Sequence, residues 1–154
     1  MAVRSLEAET LAVLWQTLSP YGHVCLLDVP DLPSLNYCLT STTVSPPFEG
    51  RTVDGWVDVV VANRPKRNDS RVPVALSAKR RGWWTKRTKS GGAVYVMVRL
   101  RPAGAGRPLF ALLAGAQAQD RLDNTNVEGI QAAALATWED VLPTDNTLAR
   151  WLVS

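Results

Sequence analysis

The sequence has little of the chemistry on which many metal and redox sites depend: it holds one histidine and two cysteines in 154 residues. Two thiols, Cys25 and Cys38, are too few for a disulfide framework or a zinc cluster. Without an export signal we expect both thiols to stay reduced, and Cys38 fits a small core residue better than a nucleophile. His23 has no evident catalytic partner. These shortages exclude a disulfide-rich secreted domain.

Long apolar runs are also missing from the sequence. No run approaches the roughly 18–20 residues that are needed to span a bilayer. The N-terminal segment MAVRSLEAET lacks the apolar stretch of a signal peptide. We therefore expect no membrane association, and we expect the protein in the cytoplasm of a host cell or in a virion.

The rest of the composition is that of a globular protein. Apolar residues make up 46% of the chain and charged residues 20%, both ordinary values for a folded domain. A chain of 154 residues is long enough to bury one sizeable core. We expect a single domain over residues 1–154.

The net charge of +3 hides a strong asymmetry along the chain. The window from Arg64 to Arg107 holds 13 Lys and Arg and one acidic residue, Asp69, which gives it a charge of +12. The remainder holds four basic and 13 acidic residues, a charge of −9. Such a window is either an ordinary solvated basic face or a surface that attracts phosphate or an acidic protein.

Hydrophobic periodicity and turn residues predict an α/β fold: a mixed sheet of about five strands flanked by helices. The order is helix, three strands, helix, two strands and a helical tail. Strands are predicted at 23–29, 35–41, 55–62, 93–100 and 108–114, and helices at 5–18, within 71–92, and at 116–122, 126–142 and 146–153. A helix between the third and fourth strands favours a right-handed crossover, so we expect those two strands to be parallel.

One residue does not fit its surroundings. Asp58 lies inside the apolar strand GWVDVVVA, and a lone buried carboxylate is costly unless it is paired, hydrogen-bonded or bound to a metal. Val60, two residues on, faces the same side of the strand. The strand therefore raises the question of what Asp58 binds.

Several motifs in order resemble a known family. The elements are an N-terminal helix with Glu, a P-x-L-x-Y-C element at 33–38, the strand start G-W-V-D at 55–58, a basic helix with Trp that ends at Gly-Gly, and V-x-V-x-V-R at 94–99. Together they resemble the PD-(D/E)XK nuclease superfamily, especially small phage-type enzymes related to virus-type replication-repair nucleases. The resemblance spans residues 5–121 and implies a restriction-endonuclease-like core, with 122–154 as a helical C-terminal extension.

The resemblance also implies a damaged active site. In that family two carboxylates on neighbouring strands hold Mg²⁺, and a Lys two residues beyond the second one orients the attacking water. Ser34 stands at the first metal position, Asp58 matches the second carboxylate, and Val60 replaces the Lys. Arg80 stands where the family often has Gln. This pattern implies a catalytically inactive, phage-encoded protein that needs no cofactor, with Asp58 as a remnant hydrogen-bonded to loop amides. Such a protein would act by binding, either as a structural component of the virion or of its assembly or as a nucleic-acid-binding module.

An active enzyme remains the alternative. Asp31, in a literal Pro-Asp, and Lys79, on the following helix, would then replace the missing ligand and the missing Lys. The protein would be a Mg²⁺-dependent DNA endonuclease with a rearranged site of Asp31, Asp58 and Lys79. The simpler interpretation of Asp31 is an ordinary turn residue.

If the protein acts by binding, the basic window is its candidate surface for DNA or for acidic proteins, including phage structural proteins. The candidate residues are Arg64, Lys66, Arg67, Arg71, Lys79, Arg80, Arg81, Trp84, Lys86, Arg87 and Lys89. Trp83 and Trp84 cannot both face the core from one helix, and the periodicity favours Trp84 as the half-exposed one.

The extension carries two apolar stripes at helical spacing. The first stripe is Ile130, Ala133, Ala134, Thr137 and Trp138, and the second is Leu148, Trp151 and Leu152. Both stripes either pack on the protein's own sheet, which we favour, or dock Trp151 and Leu152 onto a neighbouring subunit in a homo-oligomer.

Overall fold

The computed structural model describes residues 3–28, 33–40 and 52–153. Within these ranges the chain forms five α-helices and six strands. In chain order they are α1 (Val3–Leu18), β1 (Gly22–Leu26), β2 (Leu35–Thr40), β3 (Thr52–Asn63), α2 (Ala78–Lys89), β4 (Val94–Arg101), β5 (Leu109–Ala114), α3 (Gly115–Arg121), α4 (Val127–Ala133), β6 (Ala136–Glu139) and α5 (Thr147–Val153). No helix in these ranges is long and apolar enough to cross a membrane.

The six strands form one mixed sheet in the order β1-β2-β3-β4-β5-β6. Strands β3 and β4 are parallel, and every other neighbouring pair is antiparallel. The parallel pair confirms the prediction made from the helix between them, because a chain that returns in the same direction must cross over the sheet. The α/β class with a mixed sheet is confirmed as well.

Helices cover both faces of the sheet, and each face has its own core. The face under α1 and α5, here called the α1 face, buries side chains such as Leu14, Leu35 and Met97. The face under α2, α3 and α4, called the α2 face, buries Val96 and Val98. Alternate residues of the strands supply the two cores, since successive side chains point to opposite faces.

Local sequence sets the ends of α2. The side chain of Ser77 accepts a hydrogen bond from the backbone N–H of Arg80 at 3.1 Å and so caps the first turn. Gly91, with φ of 83°, follows the last turn in the left-handed conformation that glycine adopts without a steric penalty. The predicted Gly-Gly stop is therefore confirmed.

The predicted helix at 126–142 is wrong in its second half. Helix α4 ends at Ala133, and β6 adds a sixth strand antiparallel to β5, with Trp138 opposite Phe110. The backbone N–H of Leu135 bonds the carbonyl of Leu112 at 2.7 Å and starts the pairing. Residues such as Thr137 and Trp138 favour strands. The open edge of β5 decides the outcome, because a strand paired there satisfies the backbone N–H and C=O groups of β5, which would stay unpaired if residues 136–139 formed a helix.

The end of the extension packs on the protein's own sheet. Leu148 and Leu152 of α5 are 1% and 3% exposed and belong to the core of the α1 face. The Tyr37 hydroxyl donates to the backbone carbonyl of Leu152 at 3.4 Å. Trp151 is partly buried against the same core. The structure thus agrees with the favoured alternative, in which α5 is part of the fold.

Candidate functional site

Asp58 lies in the middle of β3 and points to the α2 face. It pairs in register with Val96 of β4, and its side chain is 0% exposed. Among the described residues it is the one charged side chain that is fully buried. Burying a carboxylate this deeply is stable only when its oxygens are bonded.

Four hydrogen bonds satisfy the carboxylate. Arg80 donates twice, from Nε to Oδ2 and from Nη2 to Oδ1, both at 2.6 Å. Trp84 donates from its indole Nε1 to Oδ2 at 2.9 Å, and the backbone N–H of Val59 donates to Oδ1 at 3.0 Å. A carboxylate offers about four acceptor sites on its two oxygens. Asp58 therefore has its full complement of donors.

The sequence of α2 explains how these donors reach one carboxylate. Arg80 and Trp84 are four residues apart, so they share one side of the helix. The planar guanidinium matches the carboxylate with two parallel bonds, the strongest geometry for such a pair. Its charge lies at the edge of the core, with an Arg80 side chain that is 18% exposed. The ion pair fixes the first two turns of α2 against β3.

This arrangement does not fit a magnesium ion. Mg²⁺ needs free oxygen ligands, and here the guanidinium of Arg80 supplies the positive charge beside Asp58. Val60, 3% exposed, is an apolar neighbour on the same face. In the part of the chain that the structure describes, no group of three or more His, Cys, Asp or Glu could hold a metal ion. The prediction that Asp58 bonds to loop amides is wrong: its main partners are side chains of α2.

Of the other residues of the predicted site, neither Ser34 nor Lys79 forms a hydrogen bond with Asp58. Ser34 lies one residue before β2, and continuing the β2–β3 ladder by one step would place it opposite Asp58. It borders a cavity that Glu7 and Asp28 also line. Lys79 is exposed on α2. Asp31 lies outside the described residues.

The prediction for the two tryptophans of α2 is wrong. Trp84 is 0% exposed and is bonded to Asp58, while Trp83 is partly buried. The buried ring of Trp84 is closed to any binding partner. Apolar periodicity alone favours Trp83 as the inner residue, whereas the buried carboxylate of Asp58 binds the indole of Trp84 and draws it inward.

Several arginines of the basic window have structural partners. Arg67 pairs with Asp69 at 2.9 Å on the surface, and Arg81 pairs with Asp123 at 2.6 Å. Arg71 donates to the backbone carbonyl of Asp123 at 2.8 Å. With Arg80 bound to Asp58, three of the candidate binding residues link separate parts of the fold, Arg71, Arg80 and Arg81, whereas the pair of Arg67 stays within one exposed loop. Their charge is partly neutralised.

The remaining charge of α2 lies on its outer side. Lys79, Lys86 and Lys89 are exposed, and none of them forms a salt bridge with a described residue. Their spacing of seven and three residues places them along one stripe of the helix. We call these three residues the lysine stripe. Lys66 and Arg64, the first exposed and the second partly buried, lie in the loop after β3.

Sequence reasoning missed a cluster beside this stripe. Trp56 of β3 and Trp83 of α2 meet edge to face, with ring centroids 5.1 Å apart and planes at 73°. The guanidinium carbon of Arg87 lies 5.9 Å from the centroid of each indole. The sequence spacing already indicated parts of this cluster. Trp56 lies two residues before Asp58 and so faces the same side of β3, and Trp83 precedes Arg87 by four residues and so lies beside it on α2. Only the packing of α2 on β3 joins the two.

No protein-family model matches this sequence, and no curated protein and no solved structure is significantly similar to it. The resemblance to the nuclease superfamily thus depends on the order and spacing of the motifs themselves. The geometry around Asp58 and the charge on α2 carry the functional argument.

Proposed function

We propose that this chain is a non-catalytic nucleic-acid-binding protein with a nuclease-like fold, and that α2 carries its contact surface. The observation that supports the proposal is the division of α2 into two sides. On its inner side, Arg80 neutralises the charge of Asp58, and the indole of Trp84 donates a further hydrogen bond to the same carboxylate. Its outer side presents the lysine stripe without acidic partners among the described residues.

The charge on the outer side suits a phosphate backbone. Each exposed ammonium that neutralises a phosphate releases condensed counterions, which is the main driving force of sequence-independent binding. The window from Arg64 to Arg107 contains Asp69 as its one acidic residue, and Arg67 already binds that side chain. Asp123, which reaches α2 from outside the window, is paired with Arg81. Lys66 and Arg64 extend the positive surface toward the end of β3.

The inner side argues against the catalytic alternative. A magnesium ion at Asp58 would have to displace Arg80, and the displaced guanidinium would lose two charge-assisted hydrogen bonds at the edge of the core. Val60 offers no group that orients water. A phage origin and a location in the virion are proposed from the resemblance to the nuclease superfamily alone. An acidic phage protein is the alternative partner for the same surface.

The test is salt-dependent binding to short labelled oligonucleotides. The wild-type protein should lose affinity steeply between roughly 50 and 200 mM salt. The double variant Lys86→Ala/Lys89→Ala should flatten the plot of log K against log salt by about 1.4 to 1.8 if both ammonium groups contact phosphates.

A matched control removes the same charge elsewhere. Arg121 and Arg150 are exposed and lie outside the basic window, so Arg121→Ala/Arg150→Ala should leave the slope almost unchanged. Equal effects from the two double variants would show a general charge effect and contradict the role of α2. A wild-type protein that binds no oligonucleotide even at low salt would overturn the proposal in favour of an acidic protein partner.

A further inference from the structure

The cluster of Trp56, Trp83 and Arg87 lies at a border of the α2 face. Helix α2 covers β3 and β4, but toward β1 the same face of the sheet opens to solvent. His23 and Cys25 of β1 are exposed there, and Asn36 and Cys38 of β2 are half-buried. The rows Cys25–Asn36–Trp56 and His23–Cys38–Asp54 run across the three strands in register.

The open part of the face is polar, unlike the parts that helices cover. Its side chains are hydroxyls, thiols, an amide, an imidazole and one exposed carboxylate, Asp54. Asn36 is oriented by a bond from Nδ2 to the carbonyl of Gly55 at 3.0 Å. Such a surface gains little by packing against an apolar partner, because its polar groups would lose their water.

The cluster has the features of a stacking surface. Arg87 is exposed, and its guanidinium carbon lies 5.9 Å from the centroid of each indole. The rings hold the guanidinium by cation–π attraction and limit its rotamers. Gly92 lies against the stem of Arg87, since a Cβ there would come within 2.8 Å of Nε. The Arg87 side chain is thus held between the two indoles and Gly92 while it remains exposed.

Position and charge together select the ligand. Lys86 precedes Arg87 directly and Lys89 follows two residues later, so two exposed positive charges lie within one turn of Arg87, toward the outer side of the helix. A flat cation supported by aromatic rings stacks with nucleobases, and neighbouring ammonium groups hold the phosphates. In a duplex each base already stacks on both neighbours, so only an unpaired base offers a free face.

We infer that the surface on α2 binds single-stranded nucleic acid in preference to duplex, with one unpaired base stacked on Arg87 above Trp56 and Trp83. This inference rests on the proposed function and adds the class of substrate. The phosphates on either side of the stacked base lie against the lysine stripe. DNA and RNA share this chemistry, and a comparison of the two strands separates them.

The decisive variant is Arg87→Lys. It keeps the charge but loses the plane that stacks. Single-strand affinity should fall roughly 5- to 150-fold, the range for loss of one base stack. Duplex affinity and the salt slope should stay unchanged, since no phosphate contact is removed.

A second variant covers the case in which Arg87→Lys is poorly folded. Gly92→Ala leaves charge and rings intact but pushes against the stem of Arg87. Gly82→Ala on the same helix is its control, because a Cβ there meets nothing within 4 Å. Thermal melts of all variants should show the folded state, and the order of single-strand affinity should be wild type and Gly82→Ala above Gly92→Ala.

The outcomes separate the two proposals. Base stacking would be overturned if the wild type bound single strand and duplex with equal affinity and if neither Arg87→Lys nor Gly92→Ala changed the single-strand affinity. Salt-dependent binding in the same experiment would still support the proposed function. Absence of any salt-dependent binding would overturn both. A single-strand preference that both variants reduce would support the inference.

Discussion

The α1 face of the sheet is closed by leucines, such as Leu14, Leu18 and Leu152, whereas the α2 face closes over the carboxylate of Asp58. On the first face the stabilising energy comes from apolar area removed from water, which tolerates changes of detail. On the second, one charge is stable only while each of its donors stays in place. An apolar core therefore loses stability gradually as side chains are changed, whereas a buried ion pair becomes strongly destabilising when one partner is lost.

We expect the largest loss of stability when α5 is removed from the α1 face. Deleting residues 144–154 removes α5 and with it Leu148 and Leu152, which are 1% and 3% exposed. Each such leucine stabilises by about 1.5–3 kcal/mol, so the loss should be roughly 3–6 kcal/mol, seen as a fall of many degrees in the melting temperature. An unchanged melting temperature with loss of an oligomer would show instead that α5 docks on a neighbouring subunit.

We expect a slightly smaller loss of stability when the Asp58–Arg80 ion pair of the α2 face is broken. Arg80→Ala leaves Asp58 buried without its cation, which should cost about 3–5 kcal/mol in urea unfolding. The double variant Asp58→Leu/Arg80→Met should recover part of that loss, because it removes the unpaired buried charge but leaves the indole N–H of Trp84 and the backbone N–H of Val59 without their acceptor. The exposed Arg67 is the matched control: Arg67→Ala should cost less than about 1 kcal/mol. A double variant as unstable as Arg80→Ala would contradict this account.

Alkaline pH should destabilise the α1 face through the buried phenol of Tyr37. Burial raises the pKa of Tyr37 well above its ordinary value, and the nearby Tyr95 and Asp54 add to the shift. The unfolded chain ionises this phenol above about pH 10 while the folded chain keeps it neutral, so stability is complete below that pH and falls above it. The loss is up to about 1.4 kcal/mol per pH unit.

Tyr37→Phe is the variant that isolates this phenol. It should make the stability, measured by urea unfolding, less dependent on pH in the alkaline range. It also loses the hydrogen bond to the carbonyl of Leu152, so its stability at neutral pH should drop slightly. An alkaline profile as steep as that of the wild type would show that Tyr37 ionises in the folded state.

The smallest expected effect is on DNA cleavage, where we expect none. Plasmid and branched DNA should survive incubation with Mg²⁺ or Mn²⁺, because Asp58 has no free oxygen and Val60 cannot orient water. A known nuclease run alongside confirms that cleavage would be seen. Nicking that Asp58→Ala or Asp31→Asn abolishes would restore the catalytic alternative with its rearranged site.

Elements with local signals could be predicted from the sequence. The helical spacing of Leu11, Leu14 and Leu18 predicted α1, and the Gly-Gly after Lys89 predicted the end of α2. The crossover helix predicted the parallel pair at the centre of the sheet. The sequence also showed that Asp58 needs a partner, because the cost of burying a charge depends on the residue and its strand alone.

The partners of Asp58 could not be predicted from the sequence, because they depend on how α2 packs on β3. Arg80 and Trp84 meet Asp58 across 22 and 26 residues, a distance along the chain at which periodicity carries no information. The same holds for Trp138, where the open edge of β5 overrode a helical pattern, and for Trp56 with Trp83, which meet because α2 packs on β3. Local preferences are worth tenths of a kcal/mol per residue, whereas satisfying a sheet edge or a buried charge is worth several kcal/mol in total, so the long-range contact prevails.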